Sequence, residues 1–280
     1  MSSSSFLLFF FFFFFFLHVC HGQQQPYTGI QQLDCSGPSD SSVLGYSCSD
    51  GPRSCASYLT FRSTPPYQSP LQIAHLLAAD ADAIADANGI ESVDYPVLPG
   101  QLLLVPTTCS CAGGRYQHNA SYLVRRGDYY FKVANDTYQG LSTCQAVMAQ
   151  NPYEARRIPV GARLEVPLRC ACPTADQVAG GIKYLLTYLV GWGDSLRSIA
   201  ERFPTDYLFV LMYPNSLTAN STLFPFSTLL VPLAAEPAAR VPTTSLLAEK
   251  SGRIGDRDLR IKFFYRSKKL KYWLRRGRKF

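Results

Sequence analysis

Apolar positions along the chain fall into three similar blocks, and each block predicts the order strand, helix, helix, strand. In the third block, residues 188–190 form an extended apolar segment. A helix is then indicated by four apolar residues at the i, i+3, i+4, i+7 spacing of one helix face: Leu196, Ile199, Ala200 and Phe203. Asp194 or Ser195 stands where it caps that helix.

The first two blocks repeat this pattern. Their opening extended segments are residues 58–61 and 122–124. The first helix is marked by these residues: Leu71, Ala74 and Leu77 in the first block, and Phe131, Ala134 and Tyr138 in the second. A second helical run is predicted in each block, at 81–87, 142–150 and 206–212. The predicted fold class is therefore α+β, with three βααβ units.

Each block closes on a strand with the pattern x-Val-Pro, at residues 104–106, 165–167 and 230–232. An asparagine stands before each closing strand: Asn88, Asn151 and Asn215. Gly100 and Gly161 precede the strand in the first two blocks, which predicts a turn with positive φ there. The third block has Phe226 at this position.

The N-terminus predicts export. Residues 6–17 form an apolar run that is followed by small residues, and this is typical of a secretory signal peptide over residues 1–22. The alternative is an uncleaved anchor, but the run is shorter than the roughly 20 residues of a membrane span. We therefore expect a secreted or extracellular protein.

Eight cysteines remain once the segment with Cys20 is removed: Cys35, Cys48, Cys55, Cys109, Cys111, Cys144, Cys170 and Cys172. An even number behind a signal peptide favours a disulfide framework. The two Cys-x-Cys pairs do not close on themselves, because that ring would be strained. They are expected to lock small units together. Zinc is the alternative, but no histidine lies near Cys170, so we expect no metal and no cofactor.

Three Asn-x-Ser/Thr triplets predict glycosylation at Asn119, Asn135 and Asn220. Glycans at Asn119 and Asn135 are expected to shield faces of the second unit. The net charge of +7 is carried by the C-terminal tail, because residues 251–280 hold 12 Lys/Arg and 2 Asp/Glu. The remaining chain is slightly acidic, which argues against a nucleic-acid partner.

The opening of the third block, residues 188–200, closely resembles the start of a lysin motif (LysM), and the Asn and x-Val-Pro elements resemble its close. Three such motifs separated by Cys-x-Cys pairs resemble the ectodomain of plant LysM receptor-like kinases. The similarity favours the LYK4/LYK5 and Nod-factor-perception branch. The expected division is a signal peptide at 1–22, a Cys-containing segment at 23–55, LysM1 at 56–108, LysM2 at 116–169, LysM3 at 182–233, and a linker and disordered basic tail at 234–280.

The resemblance implies a disulfide-clamped cloverleaf of three modules. It also implies the pairs Cys48–Cys111, Cys55–Cys172 and Cys109–Cys170, and it leaves Cys35 and Cys144 for a fourth bridge. The function implied is binding of N-acetylglucosamine oligomers, either chitin oligosaccharides or lipochitooligosaccharides, with a membrane LysM receptor kinase as co-receptor. The receptors continue into a membrane helix and a kinase, and no pattern for either follows residue 233, so a soluble or truncated ectodomain is expected.

In the family the ligand lies between two loops of the second module. Carried over, the predicted ligand contacts are these: Arg126, Gly127, Asp128, Tyr129, Pro152, Tyr153, Glu154, Ala155, Arg156 and Ile158. For three residues of these loops a purely structural role is the alternative: Asp128 as a helix cap, Tyr130 in the core and Asn151 in a turn.

Two other function classes are open. One is an interaction partner or decoy of a membrane LysM receptor without its own sugar site. The other is a LysM-targeted hydrolase, which needs two positioned carboxylates. The candidate carboxylates lie within the modules themselves: Glu154, Glu165, Asp194 and Glu201. No separate catalytic domain is visible, so we expect no enzyme and no catalytic residues.

Overall fold

A computed structural model describes residues 25–36, 42–49, 51–155, 157–203, 205, 212–218 and 220–237. The expected signal peptide and basic tail lie outside these residues, as do Arg156 and most of the helical run predicted at 206–212. The described chain is α+β and contains three βααβ-type modules in sequence, as the repeats predict.

The first module consists of β2 (Ser54–Arg62), α1 (Pro70–Leu77), α2 (Ala81–Ala87) and β3 (Leu102–Ala112). The second consists of β4 (Arg115–Leu123), α3 (Tyr130–Lys132), which continues as a π-helical segment (Val133–Thr137), α4 (Cys144–Ala149) and β5 (Arg163–Arg169). The third consists of β6 (Tyr184–Leu189), α6 (Leu196–Arg202), a 3-10 turn (Tyr213–Asn215) and β7 (Thr228–Leu233). A 3-10 turn (Gly29–Leu33) and β1 (Tyr46–Ser47) precede them, and α5 (Ala175–Ala179) joins the last two.

The first helix of the second module departs from the pattern. Its apolar spacing predicts an α-helix, but only one turn is α-helical before the π-helical segment. Ser69 and Ser195 cap the corresponding helices of the other modules through their side chains. Tyr129 takes this place in the second module and makes no capping hydrogen bond. A missing cap leaves the first amides unpaired and weakens the helix start.

The recurring asparagine ties each module together in the same way. Asn88 Nδ2 donates to Leu104 O at 2.7 Å, and Leu104 N donates back to Oδ1 at 2.9 Å. Asn151 forms the same pair with Glu165, at 2.8 and 3.0 Å, as does Asn215 with Leu230, at 2.7 Å each. These asparagines pair the backbone of the closing strand from the side and so occupy its open edge.

The turns before the closing strands have the predicted backbone. Gly100 and Gly161 have φ of +86° and +83°. Phe226 adopts φ of +65° at the same position of the third module. A bulky residue in the left-handed region costs about 1–3 kcal/mol, so the packing of this module imposes the conformation.

The strands of all three modules form one sheet with the order β1-β4-β3-β2-β6-β7, and β5 pairs with β4. The first and third modules meet edge to edge where β2 and β6 run parallel, with Tyr58 opposite Leu186. Arg62 of the first module pairs with Asp194 of the third at 3.3 Å. The second module joins through Gln139, whose amide exchanges two hydrogen bonds with the backbone of Arg62.

The N-terminal segment is wedged between the second and third modules. Gln32 donates to Gly140 O at 2.6 Å and accepts from Thr228 N at 3.0 Å. Arg169 is buried at the same junction, 4.4 Å above the Tyr46 ring, with hydrogen bonds to Thr228 and to backbone carbonyls. These long-range contacts fix the modules relative to one another.

All eight described cysteines are paired, in four disulfides: Cys35–Cys144, Cys48–Cys111, Cys55–Cys172 and Cys109–Cys170. Three of these are the pairs that the family resemblance implies, and Cys35–Cys144 is the pair expected for the two cysteines left over. All four bridges close loops of more than 60 residues between different modules or between a module and the N-terminal segment, and the two cysteines of Cys55–Cys172 are 117 residues apart. Each such bridge stabilises the fold by about 2–4 kcal/mol.

Candidate functional site

Two loops of the second module lie next to each other, because Val124 exchanges backbone hydrogen bonds with Gly161 and Ala162, and we call the surface between them the groove. The first wall is the loop of residues 125–129, between β4 and α3, and the second wall is the loop of residues 151–162, between α4 and β5. Tyr130 joins the two walls, because its buried side chain donates a hydrogen bond to Tyr153 O at 3.0 Å. Burial and the neighbouring Tyr153 raise the pKa of Tyr130, so its hydroxyl remains a donor.

Asp128 shapes the first wall from inside. Its carboxylate accepts from Tyr122 Oη and Arg125 N, both at 2.8 Å, and from Lys132 Nζ at 2.9 Å. Burial alone would raise the pKa of Asp128, but the hydrogen bonds from Lys132, the Arg125 amide and Tyr122 outweigh it and lower the pKa. The side chain is only 4% exposed. Asp128 therefore neither caps the helix nor lies open to a ligand, contrary to both sequence-based interpretations.

The third module contains the same arrangement, in which an aspartate accepts hydrogen bonds from a tyrosine hydroxyl and a loop amide. Asp194 accepts from Tyr188 Oη at 2.8 Å and from Gly191 N at 2.7 Å. Burial, followed by the nearby Asp194 charge, raises the pKa of Tyr188 to about 12. The recurrence shows that the Tyr–Asp pair belongs to the loop's architecture.

Tyr129 projects from the first wall. It is 52% exposed, and its ring stacks on Phe131 with centroids 6.4 Å apart. It stands at the position of the capping serine in the other two modules. The second module therefore lacks this helix cap and has an exposed aromatic ring in its place. Local rules broken at the cost of stability are typical of functional positions. Gly127, with φ of +86°, and the exposed Arg126 complete this wall.

The second wall offers unused backbone groups. Pro152, Glu154 and Ala155 are exposed, whereas Tyr153 and Ile158 are half-buried against the core. Within the described residues, no acceptor pairs with the N–H groups of Tyr153, Glu154 or Ala155. Of the predicted contacts, Arg156 lies outside the described residues.

The corresponding loops of the other modules are hydrogen-bonded in part. In the first module, Val97 N donates to Gln68 O across the two loops, and Tyr95 N donates to Ser92 O. In the third, Phe224 N donates to Tyr27 Oη of the N-terminal segment at 2.7 Å, and Ser221 N donates to Thr218 O. Open amides also occur at residues 91–93 of the first module and 222–223 of the third, so the second module is distinguished by the exposed ring of Tyr129 at the helix-capping position.

Three segments of the chain match family models. Residues 54–112 match the NFP/LYK LysM1 domain, residues 116–169 the LYK3/4/5 LysM2 domain, and residues 184–233 the LYK4/5 LysM3 domain. The chain belongs to the LysM family. Its three LysM domains are of the LYK3/4/5 type, which confirms the resemblance seen in the sequence.

Individual relatives agree with this assignment. LYK5 of Arabidopsis thaliana is 47% identical over 229 residues, which are 79% of this chain and 34% of LYK5. Chitin elicitor receptor kinase 1 of the same plant is 39% identical over 44% of this chain and 20% of its own length. The chain thus spans about a third or less of these relatives. A crystal structure of the ectodomain of a receptor-like kinase superposes with a TM-score of 0.57 at 26% identity, covering 69% of this chain and all of that one.

Several residues of the LysM2 groove were not predicted from the sequence, whereas the core position given as the alternative for Tyr130 is confirmed by its burial. Arg125 and Arg157 add charge to the two walls, and Lys132 holds Asp128. Asn151, given above as a turn residue, is the strand clamp of LysM2.

The three predicted glycosylation sites of the LysM domains differ in exposure. Asn119 and Asn220 are exposed. Asn135 lies in the π-helical segment of LysM2, is 7% exposed, and its amide nitrogen is buried. A glycan on Asn135 would displace this packing, so we now expect this triplet to be bare. Within the described residues, no helix is long and apolar enough to cross a membrane.

Proposed function

We propose that the LysM2 groove binds N-acetylglucosamine oligomers, either chitin oligosaccharides or lipochitooligosaccharides, in extracellular perception. The observation that carries the proposal is the set of open amides at 153–155 beside the exposed ring of Tyr129. An N-acetylglucosamine chain presents N-acetyl carbonyls at regular spacing and flat apolar ring faces. Backbone donors beside an aromatic surface are suited to both.

The relatives support the same ligand class. One of them is a chitin elicitor receptor kinase, which is 39% identical to this chain over 123 residues. We further propose that the ligand-bound protein pairs with a membrane LysM receptor kinase, because several relatives are receptor kinases.

The test is calorimetric titration of the glycosylated, disulfide-bonded protein with N-acetylchitopentaose and N-acetylchitooctaose. We expect saturable binding. The variant Ala155→Trp fills the groove from an exposed position without removing a core contact and should abolish binding. The matched control Glu91→Trp places the same side chain on an exposed position in the corresponding loop of LysM1 and should bind as the parent does.

Three results would count against the proposal. Folded parent protein that binds neither oligomer at high micromolar concentration overturns it. Loss of binding in Glu91→Trp but not in Ala155→Trp moves the site to LysM1. Co-receptor pairing that persists in Ala155→Trp with and without oligomer favours an interaction partner or decoy without its own sugar site.

A further inference from the structure

Charge is distributed unevenly among the three LysM domains. Residues 54–112 contain one Lys/Arg and five Asp/Glu, residues 116–169 contain seven and four, and residues 184–233 contain two and three. LysM2 is thus basic between two acidic neighbours. The neutral oligomers considered above give no reason for this difference.

The excess charge in LysM2 lies on the walls of its groove. Arg125 and Arg126 are exposed on the first wall, and no carboxylate of the described residues lies within ion-pair distance of either. Arg157 is exposed on the second wall. Both walls therefore carry exposed cations.

The acidic residues near the groove do not cancel this charge. Asp128 is buried and is neutralised by Lys132 at 2.9 Å. Glu154 contacts Arg157 at 4.0 Å, but the two side chains are 78% and 84% exposed, so the pair is weak and open to exchange.

The exposed cations Arg125, Arg126 and Arg157 form a rim of the LysM2 groove. The grooves of the other two domains lack such a rim. In LysM1 the charged residues of the second wall are Glu91 and Asp94, and Arg62 of the first wall is paired with Asp194. In LysM3 the exposed residue at the position of Arg126 is Trp192, and residues 215–227 contain no charged side chain. Because all three grooves share one fold, the rim of cations is not needed to build a LysM groove.

We propose that the LysM2 groove selects N-acetylglucosamine oligomers that carry an anionic substituent, a sulfate ester or a carboxylate, over neutral oligomers. The inference rests on the proposed function, since the sugar chain occupies the same groove. Guanidinium groups bind both anions through paired N–H donors, and the unpaired amides of the second wall add further donors.

The test compares N-acetylchitopentaose with the same pentamer bearing one 6-O-sulfate, and with an N-acetylglucosamine–N-acetylmuramic acid tetramer that supplies a carboxylate. At low ionic strength we expect the better anionic ligand to bind about 3- to 10-fold more tightly than the neutral pentamer. The preference should vanish near 0.5 M salt, where charges are screened within about 4–5 Å. The anionic ligand that binds more tightly shows whether the preferred substituent is a sulfate ester or a carboxylate.

Variants assign the preference to the rim. Arg126→Gln/Arg157→Gln removes one cation from each wall and should bring the ratio of anionic to neutral affinity close to one. The control Arg197→Gln/Arg202→Gln removes two exposed cations from LysM3 and should keep the ratio of the parent.

Equal affinity for neutral and anionic oligomers overturns this inference and leaves the proposed function standing. Absence of binding to any oligomer overturns both. A preference that survives in Arg126→Gln/Arg157→Gln removes the rim as its cause. Tetragalacturonate, an anionic oligosaccharide without N-acetyl groups, should bind more weakly than the anionic N-acetylglucosamine oligomers, and equal binding would show that charge alone is read.

Discussion

The hydroxyl of Tyr130 donates a hydrogen bond to the backbone carbonyl of Tyr153 and thereby sets the separation of the two groove walls in LysM2. A buried bond of this kind contributes about 1 kcal/mol to stability. Here it also orients the 152–155 segment, whose amides are the proposed sugar donors. Its removal is therefore expected to affect binding as well as stability.

We expect Tyr130→Phe to lose about 1 kcal/mol of unfolding free energy and about 3- to 10-fold in affinity for chitin oligomers, since the second wall is no longer held. The control Tyr188→Phe removes the hydroxyl that donates to Asp194 in LysM3. It should lose similar stability and keep its affinity. Denaturant titration and calorimetry measure both quantities, and equal affinity in the two variants would refute the role assigned to Tyr130.

Tyr129 offers a test in which stability and binding move in opposite directions. Tyr129→Ser restores the capping residue that LysM1 and LysM3 possess, so we expect unfolding free energy to rise by up to about 1 kcal/mol. The same change removes the exposed ring and should weaken oligomer binding about 5- to 20-fold, or about 1–2 kcal/mol. A variant that is more stable and binds unchanged would show that the ring has no ligand role.

The asparagine clamp is expected to be a major contributor to stability in each LysM domain. Asn151→Ala leaves the backbone N–H and C=O of Glu165 without their side-chain partners, which should cost about 1–3 kcal/mol. The surface control Val160→Ala should change unfolding free energy by less than about 0.5 kcal/mol. Similar melting temperatures for both variants would contradict the clamp.

Asp128 should make LysM2 sensitive to acid. Its pKa is lower in the folded state than its ordinary value of about 3.9, so its contribution to stability is complete above that value and is lost as pH falls through the folded pKa. Asp136 has a pKa raised by burial and acts in the opposite direction. A comparison of variants at the same pH separates the contribution of Asp128 from that of Asp136.

Between pH 6 and pH 3, the parent should lose more unfolding free energy than Asp128→Asn, which has no charge to lose. Glu154→Gln, at an exposed position with a weak ion pair, should follow the parent curve. Parallel curves for parent and Asp128→Asn would mean that the hydrogen bonds from Tyr122 and Lys132 do not stabilise the charged form.

Periodicity predicted the first helices of LysM1 and LysM3 because the burial of one face is a local property. Residues 70–77 show the apolar spacing and form the helix, with Ser69 as its cap. The β2–β6 joint and the contacts of Gln32 and Arg169 could not be predicted, because they join residues more than 50 positions apart through packing. The family resemblance, not the spacing, carried the disulfide pairing.

The groove in LysM2 stays a prediction, and the two roles considered for Asp128, a helix cap and a ligand contact, do not agree with its buried hydrogen bonds. A Gly-Asp turn before a helix looks like a cap or a ligand contact when read alone. The signal that decides it is the tyrosine six residues earlier, since Tyr122 and Asp128 recur as Tyr188 and Asp194. The missing cap at Tyr129 was equally visible from the serines of the other two repeats.

The exposure of the three Asn-x-Ser/Thr triplets predicts which of them carry glycans in the exported protein. Asn119 is exposed on β4, and Gln117 donates to its Oδ1 at 2.8 Å, which leaves Nδ2 directed outward. Asn220 is also exposed. The Asn135 amide is buried in LysM2 without a hydrogen-bond partner among the described residues. A glycan there would force the π-helical segment out of the core.

We therefore expect folded protein from a glycosylating host to be occupied at Asn119 and Asn220 and bare at Asn135. Enzymatic deglycosylation in heavy-oxygen water, followed by peptide mass spectrometry, labels each occupied asparagine. Asn119→Gln and Asn220→Gln should each reduce the intact mass by one glycan, and Asn135→Gln should leave the glycan mass unchanged. Full occupancy of Asn135 in protein that binds oligomer and melts cooperatively would show that this helix packs differently, because attachment needs an amide that the packing described here buries.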